Sequence, residues 1–506
     1  MTGRSMPEFS DLPPIRKLTY ALCVLMLLGV GAARGGPMLA PGDMALRHDI
    51  QRLADAGVLT SPVGSWPLAW GPLLDDLRRV DNAGELSREV QDSLARVRAK
   101  ADWDARVDQV KFRARAAVSA NAARIRGFQD TPREEAEASA GLSWTGDRIS
   151  VDINATGVSS ASDGENFRLD GSQIAVALGN FTLAASTLDR WWGPGWDGSL
   201  ILSNNARPIP AVTLERNFTQ PFKSPWLGWL GPWDLSLLWG FLEQERAVPN
   251  TQFLGFRFNF RPLQSLEIGI SRTAQWCGDD RPCDLDTFWK LLVGQDNRGG
   301  DGVTTENEPG NQTAALDFRW SMTPLKLPLA VYGQFMAEDE AGGFPSRYIG
   351  QLGVENYGSI GRRWSYRVFA EAVETTCEFY STPKRFNCAY NHFIYESGYR
   401  YRGRVIGHSV DNDARVASLG FLLVNDSDNS IQGIVRGGEL NRGGPADPAN
   451  SLTSLPQDVL SIELLHNRAF RYGRLEFGLG YERFDGNAVV ESSNDTTAFI
   501  QWRSDY

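Results

Sequence analysis

At 506 residues the chain is long enough for several soluble domains or for one large membrane barrel. A hydrophobic content of 42% and a mean hydropathy of -0.30 exclude a polytopic helical membrane protein, although 16 Trp, 25 Phe and 13 Tyr supply abundant ring surface. A formal net charge of -10 argues against nucleic acid, which wants a basic face, so no nucleic-acid partner is expected. One apolar face, one polar face and aromatic girdles make the profile of a transmembrane β-barrel, and an array of soluble β-sandwiches would share it.

Taken in order, the chain begins with an export signal. Arg16 and Lys17 precede an apolar run at 18–30, shorter than the ~20 residues of a membrane span. Gly31, Ala32 and Ala33 follow as a cleavage site, so 1–33 is expected to be a cleaved signal peptide. Cys23 lies inside the apolar run rather than after it, which argues against lipidation. Export leaves Cys277, Cys283, Cys377 and Cys388. Their clustering suggests Cys277–Cys283 and Cys377–Cys388 bridges, each closing a polar loop, although four cysteines permit three pairings. The spacings do not suit a zinc ribbon, and no metal or cofactor is expected.

Residues 38–106 read as a small periplasmic helical bundle. Gly42-Asp43 offers an N-cap, Leu46, Ile50 and Leu53 recur at helical spacing, and Gly57 ends the helix. Trp66-Pro67 leads into a second stripe of Leu73, Leu74, Leu77 and Val80. Leu86, Val90, Leu94 and Val97 make a third, and three short helices burying these stripes together satisfy the pattern. Between Gly42 and Leu77 the helix, the Ala-Gly-Val turn and the Trp-Pro entry resemble half an S-layer-homology module, which would make peptidoglycan a partner.

From about Val110 the period becomes two and stays so to the end, giving a mainly β chain whose barrel is expected to span 107–506. Trp364, Tyr366, Val368 and Ala370 alternate with Ser365, Arg367 and Glu371. Leu254, Phe256, Phe258 and Phe260 alternate with Gly255, Arg257 and Asn259. Leu266, Ile268 and Ile270, then Leu316, Phe318 and Trp320, then Leu475, Phe477, Leu479 and Tyr481 repeat the pattern. Roughly eighteen such segments have the ~9–11-residue length that crosses an outer membrane at a tilt. Longer loops are expected at about 274–312, 338–346, 376–396 and 440–456, and the final strand places Ile500, Trp502 and Tyr506 on one parity. Closure into a transmembrane antiparallel β-barrel removes the open edges that so many strands would otherwise expose.

One stretch breaks the alternation. Residues 189–216 read DRWWGPGWDGSLILSNNARPIPAVTLER and lie between expected strands near 172–187 and 211–217. Gly193, Pro194 and Gly195 force a turn, so the segment must fold inward or over the rim. Flat indoles stack on sugar rings, while amides and guanidinium groups satisfy hydroxyls. Arg190, Trp191, Trp192, Trp196, Asp197, Asn204, Asn205 and Arg207 are therefore candidates for carbohydrate binding or for a rigid plug.

Signals for catalysis are weak. Asp189, Asp197 and Glu215 cannot be paired from sequence into a glycosidase couple. His48, His392, His408 and His466 have no partner at metal-ligand spacing, and His408-Ser409 would point to opposite faces of a strand. The 425–430 run of Asn, Asp and Ser reads as a turn rather than a calcium site. No catalytic residue is assigned.

Trp191-Trp192-Gly193-Pro194-Gly195-Trp196 and Asn205-Ala206-Arg207-Pro208-Ile209-Pro210 resemble the Wzi capsule-assembly family. The resemblance runs from the first helix to the terminal strand. It implies a barrel of about eighteen strands in the Gram-negative outer membrane, a periplasmic helix bundle and loops closing the outer end. It also implies a non-catalytic lectin that anchors capsular polysaccharide or exopolysaccharide. Outer-membrane lipid and lipopolysaccharide would surround such a barrel, and a polysaccharide exporter would be a further partner. The alternatives are a channel for sugars or exported polymer and a barrel-embedded glycan hydrolase.

Overall fold

The computed structural model describes residues 37–80, 82–293, 308, 310–341, 344–443, 449–486 and 492–504. The expected signal peptide and the terminal Tyr506 lie outside these. Eighteen antiparallel strands close into one barrel. They are β1 Val110–Ala120, β2 Ala136–Thr145, β3 Ile149–Ser159, β4 Gln173–Leu178, β5 Phe181–Ser186 and β6 Ala211–Arg216. Next come β7 Trp233–Phe241, β8 Gln252–Leu263, β9 Leu266–Trp276, β10 Gly310–Ser321, β11 Leu329–Ala341 and β12 Phe344–Ile360. The set ends with β13 Trp364–Glu374, β14 Arg415–Asn425, β15 Ser430–Leu440, β16 Gln457–Phe470, β17 Gly473–Asp485 and β18 Ser493–Arg503. β18 closes on β1 with Ala498 opposite Ala120 and Arg503 opposite Arg115, so no ladder edge is left unpaired.

The period-two pattern becomes an outside and an inside. Ile270, Leu316, Leu352, Leu419 and Leu479 stand exposed on the outer wall, while Ser271, Asp317, Gln351, Ser418 and Glu476 are buried on the inner one. Connections at one rim are mostly short, at 146–148, 179–180, 264–265, 322–328, 361–363, 426–429 and 471–472, with 217–232 the longer exception. At the other rim they run long, at 121–135, 160–172, 187–210 and 375–414 among others. The 425–430 run is one of the short hairpins, with Asn425 Oδ1 accepting from Ser427 N at 3.0 Å and Asn429 N at 2.9 Å.

Four details differ from the sequence reading. Residues 172–187 form two six-residue strands rather than one, because Gly179, at φ +58, and Asn180 turn the chain back. The 338–346 region is largely strand, as β11 and β12 pair as far as Ala341 opposite Phe344. The 274–312 loop contains a helix, Leu285–Val293. The inward-folded segment stops at Pro210, since Ala211–Arg216 joins the wall as β6.

The N-terminal helices are α1 Met44–Asp55, α2 Trp70–Arg78 and α3 Arg88–Asp104. Asp43 caps α1 by accepting from Leu46 N at 2.9 Å, and Gly57 leaves it in the left-handed region at φ +77. Leu46, Ile50, Leu53, Leu73, Leu77, Val90, Leu94 and Val97 share one core. That core does not end at the bundle: Trp191, Trp196 and the barrel residues Tyr332, Phe369, Leu422 and Val424 belong to it. The helices therefore pack into the short-turn end of the barrel, where Arg96 donates to Asn425 O at 3.0 Å and Arg261 to Leu59 O at 3.0 Å.

Candidate functional site

The 187–210 segment leaves β5 at the long-loop rim, descends into the barrel and returns to β6. At its lowest point Trp191 and Trp192 pair antiparallel with Trp66 and Ser65, which joins it to the N-terminal region. Trp191, Trp192 and Trp196 are 0%, 1% and 1% exposed. Phe128 packs edge-on against both Trp66 and Trp191 at 5.3 and 5.2 Å. The Arg47 guanidinium lies 4.3 Å from the Trp196 ring centre, and Arg367 lies 4.5 Å from it. All three indoles are thus enclosed by protein, and none presents a face to a sugar ring. Glycine is required in this turn: a Cβ on Gly198 would sit 1.8 Å from His408 Nε2.

The polar residues of the segment are also engaged. Glu371 receives Asp197 N at 3.1 Å, Tyr332 Oη at 2.8 Å and Gln351 Nε2 at 2.7 Å, as well as Trp196 N. The Asp197 carboxylate pairs with Arg436 at 2.8 Å. Arg190 bridges the neck of the segment, donating to Leu188 O, Ile209 O and Ser186 Oγ at 3.0–3.2 Å. Asn204 donates to Phe128 O at 2.8 Å, and Asn205 donates to Val405 O at 2.9 Å. Asp189 is half-buried at the long-loop end, where burial pushes its carboxyl up to about 6 against the pull of Arg133 3.6 Å away.

Arg207 reaches the long-loop rim. It holds Asp170 at 2.8 and 2.9 Å, Asp163 at 2.6 Å and Glu165 at 3.0 Å. Arg168 meets Glu134 at 2.5 Å and Asp163 at 2.9 Å, and Arg402 pairs with Glu165. Burial alone would raise the Asp163 carboxyl, but hydrogen bonds from Arg207 and Glu165 N and the charges of Arg207 and Arg168 hold it at about 2. A folded pKa below the ordinary 3.8 stabilises the cluster above that value and is lost as pH falls through the folded pKa. Protection of the Glu165 amide, which donates to Asp163 at 3.1 Å, is therefore expected to stay constant from neutral pH to about 4 and to fall as pH approaches 2. Hydrogen exchange across that range measures it.

The 375–414 connection adds a surface that composition did not single out. Cys377 bonds to Cys388 and Cys277 to Cys283. Tyr395 Oη donates to Cys277 O at 3.2 Å, which ties the two loops together. Tyr390 and Tyr399 point down and donate to Leu200 O at 2.7 Å and Ile201 O at 2.8 Å, anchoring the loop on the plug. Tyr380, Phe386 and Phe393 point away and are 64%, 39% and 45% exposed. The available signal was density of rings: Phe379, Tyr380, Phe386, Tyr390, Phe393, Tyr395, Tyr399 and Tyr401 fall within 25 residues of the chain. His408 and Ser409 belong to this connection rather than to a strand, so strand alternation does not govern them. Both are buried, burial lowers the His408 ring to about 4, and Ser409 Oγ has no hydrogen bond to it.

Comparison with known proteins agrees with this architecture. A family profile described as capsule assembly protein Wzi matches residues 105–499. An uncharacterized 55.8 kDa protein of the Klebsiella pneumoniae cps region is 33% identical over 356 residues, covering 69% of this chain and 67% of its own. The solved structure of Wzi from Escherichia coli, described as an outer membrane protein involved in group 1 capsule assembly and a carbohydrate-binding β-barrel, superposes with a TM-score of 0.81. It is 26% identical, with 93% of this chain and all of that one covered. A closed eighteen-strand barrel with its helices in one end and a profile match over most of its length place this chain in the Wzi capsule-assembly family, in the outer membrane.

Proposed function

We propose that this barrel holds a capsular polysaccharide or exopolysaccharide on the cell surface without turning it over, and that the long-loop rim is the holding surface. The observation that carries the reading is the division of rings in the 375–414 connection. Buried tyrosines fix the loop to the plug, while Tyr380, Phe386 and Phe393, the last with the His392 ring 4.4 Å away, keep exposed ring surface in a loop that also carries Lys384, Arg385 and Asn387. Such faces stack on the C–H side of pyranose rings, and neighbouring carboxylates and guanidinium groups take the hydroxyls. The Trp191, Trp192 and Trp196 stretch serves in this reading as the floor that keeps the rim in shape. The Wzi structure of Escherichia coli, a carbohydrate-binding barrel, supports the ligand class. The lipid-facing wall would meet outer-membrane lipid and lipopolysaccharide, and α1–α3 at the opposite rim would face a polysaccharide exporter or peptidoglycan. The export signal expected at 1–33 belongs to the same picture.

The test is binding of the detergent-purified protein to the producing strain's own surface polysaccharide. Saturable binding is expected, reduced at least about tenfold in Tyr380→Ala/Phe393→Ala, since a lost ring stack contributes roughly 1–3 kcal/mol when well packed. Heat-modifiable gel migration checks that the variant is folded. No saturable binding by the wild type would overturn the proposal, and full binding by the double variant would move the site off this loop.

A further inference from the structure

The plug fills the barrel unevenly. Against the wall that includes β8, β11, β12, β13 and β15 it seals long inward side chains: Arg257, Gln334, Gln351, Arg367 and Arg436 are all buried. Against β1–β4 the inward positions include the short side chains of Ser139, Ser143 and Ser150, and a cleft of about 300 Å³ remains between wall and plug. Both ends of β2, Glu137 and Thr145, line it, a separation of eight residue steps or roughly 26 Å along a strand. Both ends of β3, Ser150 and Val158, line it too. The cleft therefore follows the wall from rim to rim. At its inner end it lies beside Trp103 and Asp104 at the close of α3, and at its outer end it lies beside Arg168 and Asp170.

Its surface is polar. Ser150 Oγ, Gln173 Oε1 and Asn467 Oδ1 belong to cleft-lining residues, are buried, and have no hydrogen-bond partner in the protein. Buried polar atoms without protein partners call for water or a hydroxylated solute. Cations and anions along the lining are equal in number and meet in pairs: Arg113 with Asp152, Arg115 with Glu137 at 2.9 Å, Arg474 with Asp43 at 2.7 Å. A wall balanced in this way favours neither sign of ion and offers donors and acceptors to uncharged solutes. At the outer end the 160–172 loop is fastened by Arg168 to Glu134 and Asp163, and by Arg207 to Asp163, Glu165 and Asp170.

We infer that this cleft is a hydrophilic conduit past the plug, sized for water, small ions of either sign and monosaccharides, and that the Arg168 and Arg207 ion-pair cluster closes its outer end. This does not depend on the polysaccharide reading, which concerns the rim alone. The test uses the full-length protein in planar bilayers with KCl and in liposomes swollen by arabinose or by the trisaccharide raffinose. Wild type is compared with Arg207→Ala and with Asp163→Asn/Asp170→Asn, each with and without Ser143→Trp, which places an indole in the cleft. Wild type is expected to conduct little. Both latch variants should conduct several-fold more, with a reversal potential near zero in a KCl gradient and faster entry of arabinose than of raffinose. Ser143→Trp should return them to the wild-type level. Equal conductance of wild type and folded latch variants overturns the inference, as does increased conductance that Ser143→Trp leaves unchanged. Equal entry of raffinose and arabinose also overturns it, because that signals a displaced plug. Two independent latch variants, each checked by heat-modifiable migration, keep the test informative if one fails to fold.

Discussion

Trp196→Ala is expected to undock the inner segment while leaving the barrel wall closed. The indole is fully enclosed, stacks on Phe369 at 6.2 Å, and has the Arg47 and Arg367 guanidinium groups 4.3 and 4.5 Å from its ring centre. Removing a buried indole costs about 3–5 kcal/mol through lost burial and the cavity left behind. Here two buried cations also lose the ring they face. The eighteen-strand ladder does not depend on this contact, so heat-modifiable migration should persist. Limited trypsin digestion should instead cut the 187–210 segment after Arg190, since the Arg207–Pro208 bond resists trypsin. Trp320→Ala, whose ring stands on the outer wall, should leave that segment protected. Equal protection in Trp196→Ala and wild type would show that the segment is held by its hydrogen bonds alone.

Glu371→Ala is expected to have an effect of similar size by a different route. One buried carboxylate accepts from Trp196 N, Asp197 N, Tyr332 Oη and Gln351 Nε2. Each donor left unsatisfied in a dry interior costs roughly 1–3 kcal/mol. Glu371→Gln keeps one acceptor oxygen and the side-chain length, so it should lose distinctly less. The comparison separates hydrogen bonding from charge: equal trypsin sensitivity of the alanine and glutamine variants would mean that the charge, facing Arg47, holds the turn. Sensitivity of the alanine variant alone would assign the effect to the donors.

Much of the wall was legible because a barrel strand writes its two environments directly into alternating residues. The pattern across Trp364–Glu374 appears in the structure as exposed Val368 against buried Arg367 and Phe369. Local rules also located the α1 cap at Asp43 and the stop at Gly57. What local pattern does not encode is the partner of a side chain brought in from far along the chain. Three indoles in six residues announced an unusual segment, but their burial depends on Arg47, Trp66, Phe128 and Arg367, all distant in sequence. The exposed rings at Tyr380, Phe386 and Phe393 were hidden for the converse reason. Rings are scattered along the whole 377–401 stretch, and tertiary bonds such as those of Tyr390 and Tyr399 to the plug decide which of them turn inward. The 179–180 turn was missed because the small and apolar residues on either side, Ile174–Leu178 and Leu183–Ala185, show no polar alternation whose change of parity would mark a break.

The pairing of Trp191-Trp192 with Ser65-Trp66 has a mechanical consequence. On the proposed function, flow drags a polymer held at the cell surface, and the pull would enter the protein through the 375–414 connection. Tyr390 and Tyr399 pass it to Leu200 and Ile201, and the descending segment passes it on to the region between α1 and α2. Part of any tension at the long-loop rim would thus reach the N-terminal helices along a central column, beside the part that β13 and β14 take directly from the ends of the 375–414 connection.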